Sequence, residues 1–147
     1  MKKLMLITAI LMNLITVSFA EDKTQAQDVV QIWLQEVFKM KSHDDYKTRD
    51  KIIEKLRPYS VDKDTNSINR KIAQFWAIKN RVEKRDKNSF YNKQTNFSYS
   101  FETKYIKYDQ WRKRALVFFT IFAYQNFESP NNCNSIYLKK VGGKWKL

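Results

Sequence analysis

The 147-residue chain is long enough for one domain and carries a formal net charge of +13. Its single cysteine, Cys133, excludes an internal disulfide, and its single histidine, His43, with no clustered ligand motif, argues against a metal site. The only two glycines are adjacent, Gly142 and Gly143, and precede a strand pattern, which excludes a glycine-rich phosphate loop.

Residues 1–20, MKKLMLITAILMNLITVSFA, have the three parts of a secretory signal. Lys2 and Lys3 form the charged start. Leu4 to Val17 form an apolar run interrupted by Thr8, Asn13 and Thr16, and Ser18-Phe19-Ala20 places small residues where a signal peptidase reads. The run is shorter than the roughly 20 residues a membrane helix needs, so cleavage after Ala20 is expected. The alternative is an uncleaved N-terminal anchor with the domain facing the periplasm. Cleavage takes Lys2 and Lys3 with it and leaves +11 on residues 21–147. That remainder reads as a single periplasmic or secreted domain. The abundance of Lys, Asn and Ile beside only two Gly and two Pro is that of a low-GC bacterial host.

Thr24-Gln25-Ala26-Gln27 fits a capping box, and Val30, Trp33, Leu34 and Val37 follow at helical spacing, widened by Ile32 and Phe38. This predicts an amphipathic helix over about 24–41. Ser42-His43-Asp44-Asp45 is a break and a second helix start, with Asp45 and Arg49 as an i,i+4 pair. Tyr46, Ile52, Ile53 and Leu56 give that helix its apolar stripe, and Pro58 stops it near Arg57. Tyr59-Ser60-Val61-Asp62 is a connector. A third helix begins near Asp64 or Thr65, with Ile68, Ile72, Phe75 and Trp76 on one face and Ala73, Ala77 and Ile78 extending it. The pattern fades over residues 79–87, where helix end, strand and loop all remain open.

From Thr95 the period changes to 2. Phe97, Tyr99, Phe101 and Tyr105 share one face with Thr103, opposite Ser98, Ser100, Glu102 and Lys104. Tyr108-Asp109-Gln110 turns this strand into Trp111–Phe127, which is apolar on both sides: Ala115, Val117, Phe119, Ile121 and Ala123 on one, Leu116, Phe118, Phe122 and Tyr124 on the other. Such a strand is expected at the sheet centre, covered on both faces. One of those faces should lie under the Trp33 and Trp76 helices. Glu128 to Asn132 is a loop, Ser135–Val141 a strand, Gly142-Gly143 a tight turn and Lys144–Leu147 a short return strand. The expected fold is therefore α+β: three N-terminal helices packed on a curved antiparallel sheet of three to four strands. No repeat or second domain is visible.

Nothing in the spacing sets up catalysis. His43 lies in a polar inter-helix turn with no identifiable partner, and Cys133 reads as a half-buried thiol near a strand start. No cofactor and no metal are implied. Asp44-Asp45 is better explained as a helix start. An enzyme on this fold would need a buried carboxylate beside a tyrosine such as Tyr99, Tyr105 or Tyr124. The basic residues are the stronger signal. Lys79, Arg81, Lys84, Arg85 and Lys87 cluster in one stretch, Arg112, Lys113 and Arg114 enter the central strand, and Lys139, Lys140, Lys144 and Lys146 flank the last hairpin. The first two groups are the candidate interaction surface. Such a charge suits anionic partners: acidic proteins or anionic surfaces of the bacterial envelope. Export argues against nucleic acid.

The pattern from Val29 through Trp33, Glu36, Asp45-Tyr46, Leu56 and Pro58-Tyr59-Ser60 resembles the opening of the IcmL/DotI-like proteins of type IV secretion systems. The closing GGKWKL resembles the last hairpin of nuclear transport factor 2-like and cystatin-like domains. The resemblance implies a curved sheet wrapped around helices and a structural, assembling role in an envelope-spanning secretion or conjugation apparatus. It carries over no catalytic residue, because the family it resembles is not enzymatic. The chain departs from that family in its apolar run, which starts at residue 4 rather than after a cytoplasmic segment. The functional expectation is a non-enzymatic periplasmic domain that binds protein partners. A small-ligand or lipid-binding domain, with a pocket lined by Phe97, Tyr99, Phe101 and Phe119, is the alternative, followed by an isomerase- or dehydratase-like enzyme.

Overall fold

No proline or glycine interrupts the chain before Pro58, and the first helix is correspondingly longer than its apolar stripe. In the computed structural model, which describes residues 2–41, 46–87, 98–109, 111–124 and 132–147, helix α1 runs Lys2–Phe38. Thr24 is therefore no N-cap. It sits inside the helix, and its Oγ1 donates to the Ala20 carbonyl at 3.0 Å, the back-bonding that hydroxyls adopt in helix interiors. Among the described residues, no helix is long and apolar enough to cross a membrane.

Helix α2 spans Tyr46–Leu56 and buries Ile52, Ile53 and Leu56. Tyr46, expected in that stripe, stands in the first turn and is 67% exposed. Pro58 ends the helix in a 3-10 turn, Arg57–Tyr59. Helix α3 spans Thr65–Lys87. Asp64 caps it, its Oδ2 accepting the Ser67 N–H at 3.0 Å. The ambiguous stretch 79–87 is helix. Ile68, Ile72, Phe75 and Val82 form the buried face, while Ala73 and Ala77 turn outward. The break at 42–45, with His43 and the Asp45–Arg49 pair, lies outside the described residues.

Four strands follow: β1 (Ser98–Asp109), β2 (Arg114–Tyr124), β3 (Asn132–Val141) and β4 (Lys144–Lys146). They form one antiparallel meander in the order β1-β2-β3-β4, curled into a half-barrel. The α+β expectation holds. The expected strand residues Thr95–Phe97 and the loop through residue 131 lie outside the described residues. Strand β2 pairs with β1 and β3 over nearly its full length, with Phe119 opposite Thr103 and Asn134.

The concave face holds the core. Ala115, Val117, Phe119 and Ile121 of β2 are at most 1% exposed. Phe119 meets Phe75 of α3 at 6.0 Å between ring centroids, and Phe75 stacks on Trp33 of α1 at 5.7 Å. Phe75 rather than Trp76 thus carries α3 onto the strand. Each such ring removes a large apolar surface from water, worth about 1.5–3 kcal/mol. Helix α1 is the hub, touching both other helices and β1, β2 and β4. Glu36 ties it to α2 through Lys55 (3.3 Å) and also pairs locally with Lys39 (2.6 Å). Burial raises the Glu36 pKa, but the hydrogen bonds and charge of these two lysines outweigh it, and the net shift is downward.

The convex face differs from expectation. Leu116, Phe118, Thr120 and Phe122 are only half-buried, and Gln31 of α1 lines a groove with Phe118 and Thr120. Among the described residues β2 is central, and α1 and α3 pack on its concave side, with α2 packed on those two helices. Its start also differs. Asp109 Oδ1 accepts the N–H groups of Trp111 (3.1 Å) and Arg112 (3.2 Å), and Lys113 takes a left-handed φ of 49°. Trp111–Lys113 is therefore the hairpin turn, and the strand begins at Arg114.

The short β4 is held on both sides. Gly142 and Gly143 have φ of 57° and 76°, as a two-residue hairpin turn requires. Leu147 clasps the connector after α2: its N–H donates to the Tyr59 carbonyl (2.9 Å), and its carbonyl accepts the Val61 N–H (2.7 Å).

Candidate functional site

The stretch of α3 that carries the first expected basic group meets one end of β1, and the second group stands at the other end. Helix α3 reaches the sheet near Tyr99, where the Tyr99 hydroxyl donates to Glu83. Trp111–Arg114 lies at the other end of β1, about 30 Å along the strand. Arg81 is exposed. Lys84, Arg85 and Lys87 lie on the backbone of α3, and their side chains are outside the described residues. Arg112, Lys113 and Arg114 are all exposed at the hairpin.

Lys79 leaves the surface altogether. It is 5% exposed. Its ammonium donates to the Phe38 carbonyl (3.1 Å) and to the Met40 carbonyl, the orphan acceptors at the C-terminal end of α1. Glu83 Oε1 lies 3.8 Å away, and the Trp76 ring centroid 4.7 Å away. Burial pushes the Lys79 pKa below its ordinary value, and Glu83 opposes the shift. The three donors of the ammonium face two carbonyls and a carboxylate. Lys79 thus caps helix α1, while the partly buried Glu83 carboxylate stands beside Tyr99, the pairing the enzyme alternative requires. The helical spacing of Lys79 from Ile72, Phe75 and Val82 was the sequence signal for its burial.

Tyr105, a second candidate acid partner, is half-buried under Lys23, whose ammonium sits 5.9 Å from its ring centroid. Burial first, then Tyr108 and Asp22, raise its pKa. The side chains of Tyr124 and Cys133 lie outside the described residues. Cys133 stands opposite Thr120 in the β2–β3 ladder.

Among the described residues of the expected aromatic pocket, Tyr99, Phe101 and Phe119 pack against other rings of the protein. Phe38 of α1 meets Tyr99 and Phe101 edge-on at 5.0 and 5.1 Å, and Phe119 is committed to Phe75. What remains is a shallow depression of about 250 Å³ beside Gln35, Phe38, Lys39, Tyr99 and Phe101. Phe97 is outside the described residues. Among the described residues, no group of three His, Cys, Asp or Glu side chains is arranged to hold a metal.

The convex face is where accessible chemistry gathers. Strand register places Arg114 opposite Lys139 and Lys139 opposite Lys146, with Asp109 beyond Arg114. This makes a cationic rung across three strands. Like charges directly opposite each other repel, so the rung costs stability. The next rung sets Leu116 between Lys107 and Tyr137, and the one after sets Phe118 between Lys104 and Ser135. Tyr137 is 65% exposed, Ile106 45% and Val141 37%. A β-bulge between Tyr105 and Lys107 re-aims Ile106. A groove of about 650 Å³ passes Gln31, Glu102, Lys104, Ile106, Phe118 and Thr120. A second depression, about 380 Å³, lies against Lys107, Asp109, Arg112, Arg114, Leu116 and Tyr137. Lys104, Lys107 and Tyr137 were invisible as a group in sequence, because only strand register makes them neighbours.

Comparison with protein-family models, with curated proteins and with solved structures finds no match for this chain.

Proposed function

We propose that the protein is a non-enzymatic interaction domain of the bacterial envelope, and that it engages an acidic partner protein through the convex face of its sheet. The observation that carries this reading is the half-buried convex side of β2. Leu116 and Phe118 stay half-buried there, framed by Lys104, Lys107, Arg114 and Lys139. An apolar strip within a polar, cationic rim is the anatomy of a protein interface. The helix order, the curled meander and the resemblance of residues 29–60 support a nuclear transport factor 2-like or cystatin-like cone. They also support a place as component or paralogue of an IcmL/DotI-type secretion or conjugation apparatus in the periplasm.

Site-specific photocrosslinking in cells tests it. A benzophenone side chain at Phe118 or Tyr137 should give one adduct of defined size. The same group at exposed Lys51 on α2 should give none. Adducts from all three positions alike, or from none, would remove the reading. The groove past Ile106 favours a second reading, a small-ligand or lipid-binding domain.

A further inference from the structure

The β1–β2 and β3–β4 hairpin turns lie at one end of the sheet, since the Lys140 N–H donates to the Lys113 carbonyl at 2.8 Å. That end has three features. First, Trp111 at the tip of the β1–β2 hairpin is 97% exposed, an indole with no apolar neighbour to shelter it. Second, Lys107, Arg112, Lys113, Arg114, Lys139 and Lys144 are all exposed around it. Arg114 and Lys139 face one another at repulsive register. Asp109 offsets part of this charge, 3.8 Å from Arg112, and Asp22 is engaged by Lys140 at 2.7 Å. Third, that same Asp22–Lys140 pair fixes where α1 meets the sheet. Lys23 over Tyr105 confirms it. The helix passes the hairpin end at residues 22–23 and reaches Tyr99 and Phe101 at the far end with Phe38. Its N-terminal continuation, with the apolar run 4–17, therefore leaves the domain beside Trp111 and the cations.

We propose that the hairpin end of the sheet docks on a bilayer surface rich in anionic phospholipid, with Trp111 at headgroup depth and the surrounding lysines and arginines on lipid phosphates. An exposed tryptophan ringed by cations matches that interface. The indole favours the boundary between hydrocarbon and water, and basic side chains gain from the negative surface potential. The depression between Lys107, Arg112, Arg114 and Tyr137 is of headgroup size. An anionic surface also relieves the repulsion between Arg114 and Lys139. In the N-terminally anchored form, the alternative to cleavage, the position of α1 selects a membrane over an acidic protein or a nucleic acid, since the apolar run 4–17 points from this end. The convex-face reading shares Lys107, Arg114, Lys139 and Tyr137 with this end, and the two part at Phe118, which only that reading needs.

The test uses the full chain carrying an environment-sensitive nitrobenzoxadiazole label on Trp111→Cys or Lys144→Cys, each with Cys133→Ser. Lys51→Cys on α2 serves as reference. On vesicles containing phosphatidylglycerol, labels at 111 and 144 should shift to the blue and brighten while the label at 51 does not. The shift should be absent on pure phosphatidylcholine and lost near 1 M salt, where screening acts within about 3 Å. Arg112→Gln and Lys139→Gln should each weaken it about fivefold. No shift at 111 on anionic vesicles overturns the proposal. So does an equal shift on neutral vesicles, an equal shift at 51, or a response to a single-stranded oligonucleotide in place of vesicles.

Discussion

Lys79 shows how a single side chain changes meaning between sequence and fold. In the chain it opens a run of cations. In the molecule it closes the C-terminal end of α1 from 41 residues away. Replacing it with methionine keeps the volume but leaves the Phe38 and Met40 carbonyls unmatched. Lys79→Met should cost about 1–3 kcal/mol at neutral pH, measured by urea denaturation. The pH dependence carries a second signature. A lysine with its pKa lowered in the fold holds its proton less tightly than the same residue in the unfolded chain. Stability therefore rises with pH between the lowered value and the ordinary 10.5. The variant should lose part of that rise, seen in denaturation series below about pH 10, before tyrosine titration opposes it. The glycines are a backbone matter. An added Cβ at Gly142 or Gly143 meets nothing within 4 Å, yet both φ values are left-handed. Gly142→Ala and Gly143→Ala should each cost about 1–2 kcal/mol in thermal melts, through strain rather than collision.

Strand β2 is the element that most constrains the fold. Its concave residues share a core with α1 and α3, while its convex residues lean on the stems of Lys104 and Lys107 and on Tyr137. Truncation should expose the difference. Phe119→Ala is expected to cost about 3–5 kcal/mol in chemical denaturation. Phe118→Ala should cost well under half as much, since its ring is already partly in water. Equal losses would mean that the convex face is covered after all. The four-strand sheet also depends on a segment with no strand signal. Tyr59–Val61 reads as a connector, yet its backbone pairs with Leu147, and the buried Trp145 meets Tyr108 edge-on at 5.3 Å.

Across the whole molecule, charge is distributed by end rather than spread evenly. The basic stretch of α3 and the hairpin cations stand at opposite ends of β1. Between them runs the half-open convex face. Among the described residues, an apolar strip and a cationic rung share one side of the sheet, while α1 and α3 pack on the other.

The order of helices and strands, the Asp64 start, the Pro58 stop and the Gly142-Gly143 turn were all legible in the sequence, because each depends on local backbone chemistry or on residue spacing within one element. The length of α1 was not. A capping motif at Thr24 is only a local option, and helix on both sides of it prevails. Nor could an apolar period of 2 on both faces of β2 say which face the helices take. That depends on the direction of sheet curl. The candidate site was beyond sequence reading for the same reason. Lys79 turned inward through the packing of α3 on α1. Arg114, Lys139 and Lys146 became one rung, and Leu116 and Tyr137 the next, only when three separate stretches of chain aligned in register. Sequence determined the elements of this protein. Tertiary structure decided which charges are buried, which are neighbours, and which face remains open, because those properties belong to pairs of distant residues.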